Sequence, residues 1–119
     1  MTLSESTIES YADTIIRDSK HKYIATAAEC AATARQVGRP VSKMVNVAFQ
    51  APFKTRNTLS MIRTTYDDGD TETIIVYNND LVCRYRRSSY ISEFDVCKTD
   101  ESDWQVDLEV LYQATKNGL

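Results

Sequence analysis

Apolar residues recur with helical spacing near the start of the chain. Ser4 or Ser6 can cap a first helix, because a serine hydroxyl accepts a hydrogen bond from a free backbone N–H of the first turn. The apolar positions that follow share one helical face: Ile8, Tyr11, Ala12, Ile15 and Ile16. A second helical stretch covers 22–37, and Gly38 and Pro40 end it.

Residues 41–50 fit two secondary structures. One set of apolar residues has helical spacing: Val41, Met44, Val45 and Ala48. A second set alternates as in a strand: Val45, Val47 and Phe49. We favour a short third helix, because Pro40 suits a first helical position.

From Thr58 onward the apolar spacing changes to period two between turn signals, which is typical of an antiparallel meander. We expect strands at 58–66, 71–77, 81–87, 91–98 and 104–113. The loops 67–69 and 78–80 contain glycine or asparagine, which tolerate positive φ in hairpin turns. The predicted fold is one α+β domain over 1–119. Two or three N-terminal helices (1–53) pack on one face of a five-stranded antiparallel β-meander (54–119).

Hairpin loop lengths fix a predicted strand register. The expected pairs are Ile62 with Ile74, Cys83 with Ile75 and Val96, Tyr85 with Phe94, and, across a last hairpin centred on Glu101, Phe94 with Leu108. One sheet face then forms the core, with these side chains: Leu59, Met61, Ile75, Tyr77, Leu81, Cys83, Tyr85, Phe94, Val96, Trp104, Val106, Leu108 and Val110. Cys83 and Cys97 fall on opposite faces in this register, so we expect them to be unbonded.

The segment RYRRSSY, residues 84–90, has the residue types of a phosphate-binding site. In the predicted register Arg84 and Arg86 point away from the core and lie among three acids: Glu72, Glu93 and Asp95. Opposite charges across strands stabilise by about 0.2–1 kcal/mol each. We therefore expect a salt-bridged sheet face, and nucleic acid is not an expected partner. A small anionic ligand at a subunit junction is the alternative, held by Arg84, Arg86, Arg87 and Tyr90.

The same register places like charges opposite each other on the last strand pair: Glu93 with Glu109, and Asp95 with Asp107. Beside these acids the face away from the helices shows apolar residues: Ile62, Ile74, Val76, Val82 and Cys97. An apolar patch beside an acidic one on an uncovered face is typical of a contact surface. The competing interpretation is that a terminal segment or residues 41–53 fold over it.

Charge is segregated along the chain. Residues 20–63 carry eight lysines and arginines against one glutamate, whereas residues 64–119 carry twelve acids against five bases. Complementary charge of this kind favours head-to-tail contact between copies, or binding of a basic protein partner.

Catalytic and metal-binding motifs are not apparent. The cysteines Cys30, Cys83 and Cys97 form no CxxC pair, and His21 has no ligand partner at zinc spacing, so we expect reduced thiols, no metal and no cofactor. No apolar run approaches the roughly 18 residues of a membrane span, which leads us to expect a cytoplasmic protein without a membrane partner. The predicted function is a non-enzymatic protein-interaction module. It either self-assembles as a homo-oligomer or acts as an accessory or inhibitory factor, and a phage-encoded origin is one expectation.

Overall fold

The computed structural model of the chain describes residues 2–50, 56–89 and 91–118, and of Gln50 the backbone alone. These residues form an α+β structure of three helices and six strands. In chain order the elements are α1 (Glu5–Asp18), β1 (Lys22–Ile24), α2 (Ala27–Val37), β2 (Val41–Gln50), β3 (Thr58–Tyr66), β4 (Thr71–Tyr77), β5 (Asp80–Ser88), β6 (Ile91–Cys97) and α3 (Asp103–Lys116).

The strands form one antiparallel sheet in the order β1-β2-β3-β4-β5-β6. Helices α1 and α3 pack on each other and on one face of this sheet, which we call the inner face. The opposite face is the outer face. Helix α2 lies on the outer face at the β1–β2 end, where it packs against β2.

Helix α1 follows the sequence prediction. The Ser4 hydroxyl caps it by accepting a hydrogen bond from the Thr7 N–H at 3.1 Å. The buried side of the helix carries Ile8, Ala12, Ile15 and Ile16, as the apolar spacing predicted. Its apolar stripe therefore meets the inner face of the sheet.

The predicted second helix is correct at its end and wrong at its start. Gly38 ends α2 in the left-handed conformation at φ 71°. Thr26 and Glu29 form a capping box that starts the helix at Ala27 rather than at residue 22. The preceding residues Lys22–Ile24 pair with β2 instead and form the edge strand β1.

Residues 41–50 form a strand, so the prediction of a third N-terminal helix is wrong. The segment pairs along its length with β3, for example Val47 with Met61. Val45 and Val47 point into the core and are buried. Both spacings were present in the sequence, and the ladder with β3 decides between them, because it places Val45 and Val47 in the inner core.

The predicted strand 104–113 is also wrong, because this segment belongs to helix α3. Its buried residues have helical spacing: Trp104, Gln105, Leu108, Leu111 and Thr115. Val106 and Val110, which alternation would have put in the core, are 42% and 37% exposed. The hairpin centred on Glu101 and the pairing of Phe94 with Leu108 therefore do not form.

The central hairpins agree with the predicted register. Ile62 pairs with Ile74, Ile75 with Cys83, and Tyr85 with Phe94. The tight turns use the expected residues at positive φ: Gly69 at 94°, Asn78 at 51° and Asn79 at 70°.

Two bulges shift the register of the last strands, one near the start of β5 and one in β6. In the first bulge, Val82 is an extra residue of β5 between the pairs Ile75–Cys83 and Val76–Leu81. Its side chain turns into the core and is 2% exposed. The other admits Asp95 as an extra residue, so that Cys83 pairs with Cys97 rather than Val96. The predictions that Val82 and Cys97 lie on the outer face, and that the two cysteines lie on opposite faces, are wrong. Leu81 and Val96 leave the predicted core for the same reason, because they pair with Val76 and Arg84.

Candidate functional site

An apolar strip crosses the outer face from β3 to β5. It consists of Ile62, Ile74, Val76 and Leu81, each of them partly exposed. The register makes them neighbours: Ile62 pairs with Ile74, and Val76 with Leu81. Three of these residues were predicted members of the partner-binding surface, and the sheet brings them together.

A charged border runs beside the apolar strip along β5 and β6. It consists of Arg84, Arg86, Glu93 and Asp95. Arg86 donates to Asp95 at 3.0 Å, and Arg84 lies 3.6 Å from the other oxygen of the same carboxylate. The hydrogen bond to Asp95 raises the pKa of the Arg86 guanidinium, which therefore stays charged. The predicted neighbours of both arginines are present, since Glu72 and Glu93 flank Arg86 across the strands.

Three predicted partner-binding residues lie elsewhere. Asp107 and Glu109 belong to helix α3, so the like-charge pairs with Asp95 and Glu93 do not exist. Asp107 instead accepts a hydrogen bond from the Tyr77 hydroxyl at 2.6 Å. Burial and this hydrogen bond raise the pKa of Tyr77 well above its ordinary value of 10.0. Val82 is a core residue. Because Asp107 and Glu109 belong to α3, the outer face is less acidic than the sequence suggested.

Helix α2 covers the outer face at its β1–β2 end. A cavity of about 190 Å³ separates the helix from the sheet and is lined by Glu29 and Thr33 of α2 and by Met44, Asn46 and Ile62 of the strands. Residues 41–50 are themselves part of the sheet, so they do not fold over it as one interpretation held. Residues 51–53 lie outside the described part of the chain.

A cluster of ion pairs joins helix α1 to the inner face. Arg63 donates to Asp13 at 2.7 Å and to the Tyr85 hydroxyl at 2.9 Å. Arg87 donates to Glu9 at 2.9 Å and to Asp13 at 3.0 Å. Sequence reasoning missed this cluster, although Glu9 and Asp13 are four residues apart on α1 and so lie on one side of it. Burial raises the pKa of Tyr85, whose hydroxyl stays neutral between these charges.

The arginines of the alternative anion site already have carboxylate partners. Arg84 and Arg86 contact Asp95, and Arg87 contacts Glu9 and Asp13. Tyr90 lies outside the described residues.

A cavity of about 150 Å³ beside Arg86 and Arg87 also includes Arg39, whose guanidinium sits 4.1 Å above the Tyr66 ring and pairs with Asp68 and Asp70. An anion in this cavity would have to compete with a carboxylate for every arginine.

The His21 ring packs edge-on against Phe49 at 5.5 Å between centroids. Residues 2–50, 56–89 and 91–118 contain no group of three or more histidines, cysteines, aspartates or glutamates arranged to hold a metal ion. Within these ranges no helix has the length and apolar content to cross a bilayer.

Comparison of the chain with protein-family models, with curated proteins and with solved structures found no match. We therefore infer function from the geometry of the chain itself.

Proposed function

We propose that the protein is a non-enzymatic interaction module that forms a homodimer through the outer face of β3–β6. The observation that carries this proposal is the apolar strip on a sheet face away from α1 and α3. When one face of an antiparallel sheet meets water, its strands alternate apolar and polar residues. Here the outward positions of β3 and β4 include Ile62, Ile74 and Val76, which is typical of a contact surface.

A second copy is the partner that the charged border favours. A two-fold contact places the same surface on both sides, so the surface must be complementary to itself. The charged border meets this requirement because it contains two arginines and two acids on neighbouring strands. Glu93 is exposed and forms no ion pair among the described residues, which leaves it available to an arginine of the second copy.

The expected packing is that of a β-sandwich. Two sheets packed face to face lie about 10 Å apart with their strands within about 30° of each other. The side chains of the two apolar strips would interdigitate at the centre, and the charged borders would close the rim. Desolvation of the strips supplies the affinity, whereas the border charges fix the orientation.

The test is sedimentation velocity of the wild type, Ile74→Glu and Val106→Glu over a wide range of concentration. Ile74 pairs with Arg84, which offers the new carboxylate a partner and preserves the fold. We expect a concentration-dependent dimer for the wild type and a dissociation constant raised roughly a hundredfold in Ile74→Glu, since two substituted strips would meet.

Val106→Glu is the matched control. It replaces an exposed valine of α3, away from the outer face, so the dimer should persist. Circular dichroism must show that both variants are folded. A wild type that stays monomeric throughout contradicts the homodimer, and a dimer that survives Ile74→Glu contradicts the assigned surface.

A further inference from the structure

Cys83 and Cys97 lie directly opposite each other on β5 and β6, with their Sγ atoms 3.4 Å apart. The Lys98 N–H donates to the Val82 carbonyl at 2.9 Å next to this pair. That bond identifies Cys83 and Cys97 as a non-hydrogen-bonded antiparallel pair, in which Cα atoms are about 4.5 Å apart. A disulfide spans Cα separations of roughly 4.4–6.8 Å, so the two sulfurs can bond without a change of register.

The two thiols differ in exposure. Cys83 is fully buried in the core, whereas Cys97 is partly exposed at the end of β6. The hydrogen bond from Cys83 lowers the pKa of the Cys97 thiol, and the same hydrogen bond together with burial raises the pKa of Cys83. Cys97 is therefore the thiol that meets a reagent from solution first, because the thiolate is the reactive form.

We propose that Cys83 and Cys97 form a redox-active dithiol, which a low-molecular-weight disulfide oxidises to an intrachain disulfide between β5 and β6. This site is independent of the proposed dimer surface, since both side chains point to the inner face.

The oxidation takes two exchange steps. The Cys97 thiolate attacks one sulfur of the small disulfide, the S–S bond of that compound breaks, and one thiolate leaves and takes up a proton. Cys83 Sγ then attacks Cys97 Sγ, the mixed disulfide breaks, and the departing small thiolate takes up the proton that Cys83 loses. Two protein thiols lose two electrons in total, and one small disulfide gains them and becomes two thiols.

The disulfide would restrict the motion of the segment that connects β6 to α3. The Trp104 Nε1–H donates at 3.0 Å to the carbonyl of Lys98, the residue after Cys97. Closing the loop from 83 to 97 should raise the thermal midpoint by an amount on the order of 10 °C for a domain of this size. Trp104 is the single tryptophan of the chain, so its fluorescence reports on the segment that connects β6 to α3.

The experiment treats the folded, reduced protein with excess oxidised glutathione, followed by alkylation, peptide mapping and mass spectrometry. We expect one 83–97 disulfide with Cys30 still free, a higher thermal midpoint and a change in Trp104 fluorescence. Cys30→Ser should behave identically, because Cys30 is buried on α2, which lies on the outer face. Cys83→Ser should stop at the first step and accumulate glutathione on Cys97. The urea-unfolded chain is the matched control, in which the preference for the 83–97 link should disappear.

The mapping of the wild type requires no variant and decides the proposal by itself. Three free thiols after prolonged exposure of the folded protein would overturn it, and so would links that involve Cys30 or a second chain. Glutathione on Cys83 rather than on Cys97 would overturn the order of attack.

Discussion

The two faces of the sheet use arginine in opposite ways. On the inner face Arg63 is 16% exposed and binds Asp13 of helix α1. On the outer face Arg86 is 53% exposed and binds Asp95 of the neighbouring strand. Arg63 thus links a helix to the sheet, whereas Arg86 links two strands of the sheet. The same residue type therefore contributes to the tertiary structure on one side and to an exposed sheet surface on the other.

The difference between the faces follows from what covers them. Apolar residues of α1 and α3 fill the inner face, and the arginines there sit at the margin of that core. On the outer face α2 reaches the β1–β2 end, and the apolar strip from β3 to β5 keeps its contact with solvent. The outer face is therefore the face on which we propose that a partner binds.

Trp104→Ala should give the largest effect, because the Trp104 side chain is 1% exposed in the inner core. Truncation of a buried tryptophan destabilises by roughly 3–5 kcal/mol. Urea unfolding should show this loss as a lower midpoint, with the slope of the unfolding free energy against urea concentration unchanged. An effect below that of any outer-face substitution would contradict the assignment of α3 to the inner face.

Arg63→Met should destabilise by about 2 kcal/mol. Methionine retains the apolar stem, but Asp13 and the Tyr85 hydroxyl lose a charged hydrogen-bond partner in a largely buried place. The measurement is again the urea midpoint. An unchanged urea midpoint would mean that the ion pairs on the inner face do not stabilise the packing of α1 on the sheet.

Tyr77→Phe should cost about 1 kcal/mol at neutral pH, since it removes the hydrogen bond to the partly exposed Asp107. The folded-state pKa of Tyr77 is raised, so its contribution is complete below the unfolded value of about 10.0 and is lost as pH rises above that value. The difference in stability between wild type and variant should therefore shrink above this pH. Urea unfolding at neutral and alkaline pH measures it, and a difference that grows with pH would contradict the assigned bond.

Arg86→Met should give the smallest effect, under about 1 kcal/mol, because an exposed ion pair contributes little. It is the matched counterpart of Arg63→Met on the other face. Double-mutant cycles with Asp95→Asn and Asp13→Asn give the coupling of each pair. Equal couplings on the two faces would remove the distinction between them.

The meander from β3 to β6 could be predicted because local chemistry specifies it. Asn78 and Asn79 adopt the positive φ of a two-residue turn that pairs Tyr77 with Asp80. The predicted three-residue loop 78–80 is one residue too long, and the extra residue Val82 in β5 restores the predicted pair of Ile75 with Cys83. The outer position of Ile62, Ile74 and Val76 follows from that register.

Two segments could not be assigned from the sequence because each fits both periods. Val45 and Val47 suit a strand, but residues 41–50 also show helical spacing, and pairing with β3 decides the outcome. In α3, Trp104 and Leu108 fit alternation and a helical face equally well. The next buried residue, Leu111, fits the helix, and the predicted face did not include it.

The bulges could not be predicted either, because the apolar pattern does not show where a strand contains one additional residue. The extra residue Asp95 turns Cys97 to the inner face, opposite Cys83. The bulge in β5 buries Val82. Both changes concern residues of the predicted partner surface. Ile62, Ile74 and Val76 lie on the outer face as predicted, whereas Val82 and Cys97 do not.

The most direct test of the proposed dimer surface is a dilution series followed through the methyl NMR signals of the isoleucines. The signals of Ile62 and Ile74 on the outer face should shift with protein concentration, while those of Ile8 and Ile15 in the inner core should stay fixed. Signals of Ile62 and Ile74 that do not change at any concentration would contradict the claim that the outer face joins two copies.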